Sequence, residues 1–263
     1  MSKAYPSNLT QAQYELLLPL LPQPNKQGRP RQVSYWDVLN AILYLLCEGC
    51  TWRGLPGDFP AWQTVYSYFR CWTQDGTWLA IHDHLYRLNR LAEGRRISPS
   101  EVIVDSQSVK SATMINQRVG HDTAKKTNGR KRHLTVDTLG LVLRVLVTAA
   151  DVPEREGAKQ VLDKVHQLGK RVGRVTIVWV DGGYRGPKFY DWVIAAFGWI
   201  VEVVLRPEEA KGFVLLKKRW KVERTFGWWN WCRRLSKDYE VLPKTSETLI
   251  YIAMIRIMVR RLA

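Results

Sequence analysis

Acidic residues are scarce in this 263-residue chain, which has 24 Asp and Glu against 40 Lys and Arg. The resulting formal net charge of +16 is unusual for an enzyme of small-molecule metabolism. Each Lys or Arg that neutralises a phosphate releases a condensed counterion, so such an excess favours a polyanionic partner. We therefore predict that the chain binds DNA or RNA.

Long apolar runs are also missing. The longest, Val38 to Cys47 and Leu141 to Ala150, are short or interrupted, whereas a membrane-spanning helix needs about 20 apolar residues. Met1 to Pro6 have no apolar run behind their positive charge, so we predict no secretory signal. We expect a cytoplasmic protein.

Cysteines number only four, too few for a disulfide framework in a chain of this length. Cys47 and Cys50 have the spacing of half a zinc site, which Cys71, His82 or His84 would complete. The second half lacks the compact spacing of structural zinc sites, so we favour reduced, buried thiols.

Residues 1–95 are predicted to form a small domain of aromatic-rich helices, with N-caps at Thr10 and Ser34. The third helix places Gln63 and Arg70 on its polar face. That face is compatible with a helix-turn-helix reader of DNA, although a helical bundle with a solvated face fits equally well. In the loop at residues 28–31, two arginines would suit a minor groove, although a solvated loop explains them more simply.

Residues 96–263 have the alternating strand and helix pattern of a second, α/β domain. The predicted order is β-β-β-α-β-α-β followed by a basic helix, and the strands are nearly continuous apolar runs. Such strands indicate a mixed sheet covered on both faces. The predicted strands are Val102 to Val104, Leu134 to Val136, Leu141 to Thr148, Val175 to Val180 and Ile200 to Leu205.

Three carboxylates are candidates for chemistry. Asp105 and Asp181 each follow a predicted strand, and ligands of open α/β sheets gather outside the carboxyl ends of strands. Paired carboxylates there suit hard cations such as Mg²⁺, which leave positions for phosphate and water. Glu223 is the only acid of a basic helix, on one face with Arg219, Asn230 and Arg234.

Each of these acids also has a simple structural explanation. A single Asp at a strand end is commonly a turn or cap residue, and a Glu in a basic helix is commonly a solvated ion pair. The joint occurrence of the three in this order favours chemistry. We interpret Asp137, Asp151 and Glu154 as turn and helix-start residues.

Four motifs resemble one family of enzymes. The segments Val104 to Lys110, Gly129 to Asp137, Val180 to Gly186 and Arg219 to Phe226 are similar to those of the transposases of the insertion sequence five group. These belong to the DDE transposases, whose catalytic domain has a ribonuclease-H-like fold. The resemblance extends over nearly the whole chain, including the N-terminal helical region.

The resemblance implies that Asp105, Asp181 and Glu223 are a catalytic triad that binds Mg²⁺ or Mn²⁺, with two ions expected. The related insertion sequence four group has a Tyr-x2-Arg-x3-Glu-x6-Lys signature, of which Arg219 and Glu223 are present. Leu216 and Asn230 replace its Tyr and Lys. We expect an arginine at 233 or 234 to supply the missing cation.

The DNA contacts are predicted from basic and aromatic clusters. The run from Lys125 to His133 would bind phosphates beside Asp105, although a charge run is commonly just solvated, and the role of His133 stays open. One of three tryptophans, at 228, 229 and 231, would stack on an unpaired base, although most tryptophans pack in a core or interface. The residues expected at the DNA are Arg29, Arg31, Gln63, Arg70, Lys125, Lys126, Arg130, Lys131, Arg132, Arg219, Trp229, Arg233 and Arg234.

These observations together predict a transposase of a bacterial insertion sequence, acting in the nucleoid. It would bind the terminal inverted repeats, cleave the element ends and join the 3′ ends to target DNA. Because two ends are cut together, we expect a homodimer. The apolar helix predicted at Leu249 to Leu262 either completes the hydrophobic core or forms a dimer contact. The alternatives are another metal-dependent, ribonuclease-H-like nuclease and a non-catalytic DNA-binding relic of a mobile element.

Overall fold

The computed structural model describes residues 4–23, 31–205, 216 and 218–263, which form two compact units. The helical unit comprises Met1–Asn89, Trp229–Ser236 and Thr248–Ala263. The sheet unit comprises Arg90–Trp228 and Lys237–Glu247. The division into separate domains at residues 95 and 96 stays a prediction. In the described residues, no helix is long and apolar enough to cross a membrane.

The first two helices of the helical unit begin where the sequence predicts, whereas the last helix begins six residues before the predicted Leu249. Thr10 forms a complete capping box with Gln13, and the Ser34 hydroxyl accepts a hydrogen bond from the Asp37 N–H at 3.0 Å. After α2, Gly49 has a φ of +74°, a conformation that glycine adopts without strain. The helices are α1 (Gln11–Leu17), α2 (Tyr35–Glu48), α3 (Trp62–Gln74), α4 (Thr77–Ala92) and α8 (Pro243–Leu262).

The core of this unit is apolar and aromatic. Four residues at helical spacing on α2 are buried, as are the predicted inward residues Val65, Phe69 and Trp72 of α3. The part of α8 after Thr248 is buried along most of its length, including Met254 and Met258, which confirms the predicted apolar helix. The connection between α2 and α3, residues 49–61, is longer than the three or four residues of the usual helix-turn-helix.

The sheet unit contains a mixed sheet of six strands in its described part. The strands are β1 (Glu101–Lys110), β2 (Gly120–Asp122), β3 (Thr127–Val136), β4 (Val142–Ala149), β5 (Ile177–Val180) and β6 (Ile200–Val203). β3 pairs antiparallel with β1, β2 and β4, whereas β1, β5 and β6 are parallel. Its helices are α5 (Glu154–His166), α6 (Pro187–Phe197) and α7 (Arg219–Trp229).

The structure corrects several predicted elements. β1 does not end before Asp105 but continues to Lys110, because its polar second half pairs with an equally polar, longer β3. The short β2 was not predicted. α7 ends at Trp229, so Asn230 and Arg234 do not share its face with Glu223.

α5 packs closely on β3 at one glycine. A methyl group at Gly157 would lie 2.1 Å from Cε1 of the buried His133 ring, far inside van der Waals contact. Only a residue without Cβ lets the helix approach the strand this closely.

We therefore expect Gly157→Ala to lower the free energy of unfolding by about 1–3 kcal/mol, as overpacking does. Helix propensity alone predicts the opposite sign, a gain of about 1 kcal/mol. Urea denaturation measures the difference, with Gly173→Ala as the control, because a methyl group there has its nearest neighbour at 3.6 Å. Combining Gly157→Ala with His133→Ala should cost less than the sum of the two single changes. A stabilised Gly157→Ala protein would contradict the packing described above.

Candidate active site

Two aspartates lie at matching positions of adjacent parallel strands. Ile103 of β1 is in register with Trp179 of β5, and each strand reaches its aspartate two residues later. Because side chains alternate along a strand, Asp105 and Asp181 leave the sheet on the same face. The predicted meeting of Asp105 and Asp181 is therefore built into the register of the sheet.

Backbone N–H groups orient both carboxylates. Asp105 accepts from the N–H of Ser106 at 2.7 Å, and Asp181 accepts from the N–H of Gly183 at 2.9 Å. Both aspartates line one cavity of about 760 Å³, which we call the carboxylate pocket. Both acidic and basic side chains line it, including Asp122, Lys125, Lys131, Glu154, Arg155 and Arg219.

Glu223 is connected to this pocket through Arg219. The Arg219 guanidinium lies 3.5 Å from Asp181 and 3.2 Å from Glu223, one turn further along α7. Its charge therefore lies between two of the three candidate carboxylates. The side chain of Glu223 is 42% exposed, which leaves it accessible from solvent.

The turn between β3 and β4 fixes α7 next to Glu223. The Thr225 hydroxyl lies 2.6 Å from the Gly140 carbonyl, and Arg224 donates to the Leu139 carbonyl at 2.8 Å. Asp137 holds the turn, because it accepts from the N–H groups of Leu139 and Leu141 and forms a buried ion pair with Arg90. Asp137 is therefore a turn residue, as predicted.

Burial makes the Asp105 carboxyl an unusually weak acid. Removal from water raises the pKa of Asp105 to about 7, and the charge of Asp181 adds to this rise against the hydrogen bond from Ser106. A carboxyl that ionises with difficulty beside a second carboxylate is one that a cation would stabilise in its ionised form. The pair thus fits a hard, oxygen-preferring cation that takes few protein ligands.

The predicted basic run divides into exposed and buried members. Lys125 and Lys126 are exposed, whereas Arg130, Lys131 and Arg132 are buried within β3. The Lys131 ammonium lies 3.2 Å from Asp122 and donates to a carbonyl, and Arg132 donates to Gln107.

Arg130 is an internal clamp. It is fully buried, lies 3.3 Å from Asp238, and donates to the carbonyls of Gln117, Glu240 and Val241. Because this guanidinium is fully buried and both of its terminal nitrogens already contact protein groups, we do not include it among the proposed DNA contacts. Arg132 is left out for its burial as well. His133 is likewise buried, with Nε2 3.0 Å from the Thr148 hydroxyl.

The remaining predicted DNA residues divide in the same way. Trp229 is 1% exposed and Arg234 is buried and donates to the Cys50 carbonyl, so neither presents a surface to a base or phosphate. Trp231, in contrast, is 81% exposed. Arg29 lies outside the described residues, and the exposed ones are Arg31, Gln63, Arg70 and Arg233.

Glu154 is a pocket residue for which the sequence predicts only a helix start. It does lie in the first turn of α5, but its carboxylate accepts from the Ser106 hydroxyl and from the Lys125 ammonium, both at 2.9 Å. No local sequence pattern predicts these contacts, because Lys125 is 29 residues and Ser106 is 48 residues away from Glu154 in the sequence.

Comparison with known families agrees with this geometry. Residues 96–258 match the model of the transposase DDE domain, and residues 9–82 match that of transposases of the IS4/5 family. The chain belongs to the DDE transposases. Its mixed sheet and N-terminal helices are those of a ribonuclease-H-like DDE domain preceded by a helical region. The chain is thus a transposase enzyme, of a family that generally uses divalent metal ions and acts on DNA.

A bacterial relative has a related sequence. The chain is 32% identical over 113 residues to the "insertion element IS402 uncharacterized 16.2 kDa protein" of Burkholderia cepacia. The match covers 41% of this chain and 75% of the relative. Within the part of this chain that the structure describes, no three His, Cys, Asp or Glu side chains are already arranged to hold a metal ion.

The raised pKa of Asp105 predicts a pH dependence of stability. The carboxyl titrates near 3.8 in the unfolded chain and near 7 in the folded, metal-free protein, so the folded state binds the extra proton between these values. Its contribution to stability therefore falls as pH rises from 4 to 7, by up to about 4 kcal/mol at 1.36 kcal/mol per unit.

Asp105→Asn removes this titration. We expect its free energy of unfolding, measured by urea denaturation with a chelator present, to rise relative to the native protein between pH 4.5 and 7.5. A difference that stays constant across this range would contradict the raised pKa.

Proposed function

We propose that this transposase binds the terminal inverted repeats of its own insertion sequence, cleaves the DNA at both ends and joins the freed 3′ ends to target DNA. The matching register of Asp105 and Asp181, with Glu223 attached to them through Arg219, is the observation that supports this proposal most strongly. Cations around the same pocket suit a phosphodiester substrate.

In this proposal Asp105, Asp181 and Glu223 hold two Mg²⁺ or Mn²⁺ ions. Such ions supply an activated attacking oxygen and stabilise the leaving oxygen in phosphoryl transfer. Ser106 and Gly183 keep the two aspartates in place through their N–H groups, and the turn at residues 137–140 keeps α7 in place behind Glu223. Arg219, no longer needed as the counterion of two carboxylates, contacts a DNA phosphate.

The proposed DNA contacts are the exposed members of the predicted set. Lys125, Lys126 and Arg219 bind phosphates at the carboxylate pocket, since phosphate contacts position a protein on DNA without reading sequence. Exposed polar residues of the helical unit contact the DNA of the terminal repeats. Trp231 replaces Trp229 as the residue that stacks on an unpaired base, because only an exposed ring offers a face. The helical-unit residues are Arg31, Gln63, Arg70 and Arg233, with Arg29 still a prediction.

We further propose that two copies act together as a homodimer. An element has two ends, and excision requires both to be cut, so one active site for each end is the minimum assembly.

The deciding experiment compares Glu223→Gln with the native protein on duplexes that contain the inverted repeats flanking the coding sequence. We expect Mg²⁺-dependent nicking at the repeat boundary followed by joined product. The variant should lose at least about 100-fold in cleavage rate, because even outer-shell partners of metal sites cost about 10–100-fold. Its affinity for the repeats should stay close to native.

Glu202→Gln is the matched control, because Glu202 is an exposed acid of β6 outside the pocket. It should cleave like the native protein. Cleavage without joining would favour a ribonuclease-H-like nuclease, and specific binding without cleavage under any divalent ion would favour a DNA-binding relic. Unimpaired cleavage by Glu223→Gln would remove this residue from the mechanism.

A further inference from the structure

Lys125 and Glu154 form an ion pair at the edge of the carboxylate pocket. The Lys125 ammonium lies 2.9 Å from the Glu154 carboxylate, and the two side chains are 42% and 26% exposed. Burial raises the pKa of Glu154, but the hydrogen bond and charge of Lys125, together with the Ser106 hydrogen bond and the Lys131 charge, outweigh it and leave this pKa below its ordinary value. The Glu154 carboxylate is thus ionised at neutral pH, and both side chains of the pair are partly open to solvent.

The backbone around Lys125 is held in place by Asp122. Asp122, which is buried, accepts from the Lys125 N–H at 3.0 Å and from the Ser108 hydroxyl at 2.5 Å, and it pairs with Lys131. The turn is therefore anchored to β1 and β3, whereas the Lys125 ammonium, which also lies 3.4 Å from the Ser106 carbonyl, belongs to a partly exposed side chain. The flexible stem of a lysine allows the ammonium to move a few ångströms without any movement of this backbone.

Two donors converge on one oxygen of Glu154. Its Oε1 accepts from both the Lys125 ammonium and the Ser106 hydroxyl, and Ser106 is the direct neighbour of Asp105. An ammonium and a hydroxyl that point at one anionic oxygen beside a catalytic carboxylate are the donors that a phosphate oxygen requires.

We propose that Lys125 and Ser106 form a phosphate subsite of the active site, and that Glu154 occupies its donors as an internal substitute until DNA arrives. The inference rests on the proposed function, since the phosphate belongs to the DNA strand at the carboxylate pocket. A half-exposed ion pair contributes little to stability, so a phosphate replaces the carboxylate at small cost. Glu154 thus weakens DNA binding, and the stronger its ion pair with Lys125 is, the larger this effect becomes.

A double-mutant cycle tests this exchange. Affinity for the repeat duplex is measured with a chelator present for the native protein, Glu154→Gln, Lys125→Met and the double variant. Glu154→Gln should bind about twofold to fivefold more tightly, the range in which exposed ion pairs act. Lys125→Met should bind more weakly, with a slope of log affinity against log salt that is shallower by about 0.9.

Glu156→Gln is the control for simple loss of a negative charge. Glu156 lies two residues further along α5 and pairs with Lys159 at 2.9 Å. In the Lys125→Met background, the gain from Glu154→Gln should shrink to the gain that Glu156→Gln produces in the native background.

Equal gains from Glu154→Gln with and without Lys125, or weaker binding by Glu154→Gln, would overturn the subsite. If the native protein still cleaves and joins, the transposase reaction survives that result. A native protein that binds no DNA would overturn both. Thermal unfolding verifies that each variant is folded; should Glu154→Gln be unstable, the salt slope of Lys125→Met decides alone, because an unchanged slope excludes a phosphate contact.

Discussion

The parallel pairing of β1 with β5 is the constraint on which the candidate active site depends. The two strands share only a few residues of register, Glu101 to Ile103 against Ile177 to Trp179. Beyond this point β5 ends, and β1 continues along β3 alone. The space that β5 leaves is the space in which Asp105, Asp181 and Arg219 meet. The register thus aligns the two acids, and β5 ends early enough for both of them to line the pocket.

Positive charge has two separate uses in this molecule. Arg90 and Arg130 are buried and paired with Asp137 and Asp238, and they tie distant parts of the sheet unit together. Two cations at the pocket, Lys125 and Arg219, are instead partly exposed and pair with partly exposed carboxylates. A buried charge that lost its partner would be severely penalised, whereas an exposed charge exchanges partners cheaply. Net charge alone therefore overestimates how many basic residues are available to DNA.

The sequence was sufficient for features that depend on neighbouring residues. The caps at Thr10 and Ser34, the buried face of α3 and the position of Asp181 after β5 follow from local patterns. Features that depend on distant partners could not be predicted. Arg130 resembles any member of a solvated basic run, because Asp238 is 108 residues away. The polar half of β1 resembles a loop, since only its pairing with an equally polar β3 makes it a strand.

The buried contacts of Arg130 also constrain the order in which the chain can fold during synthesis. β3 is synthesised more than 100 residues before the carbonyls of Glu240 and Val241 that its guanidinium needs. Until that segment leaves the ribosome, the strand must either stay open or bury a cation without its acid, at a cost of about 3–5 kcal/mol. A gene copy interrupted before codon 238 therefore yields a chain that retains both aspartates of the pocket but cannot complete the sheet unit around them. Such a fragment lacks the acid and the two carbonyls that the buried Arg130 guanidinium contacts, so we expect its sheet unit to be unstable.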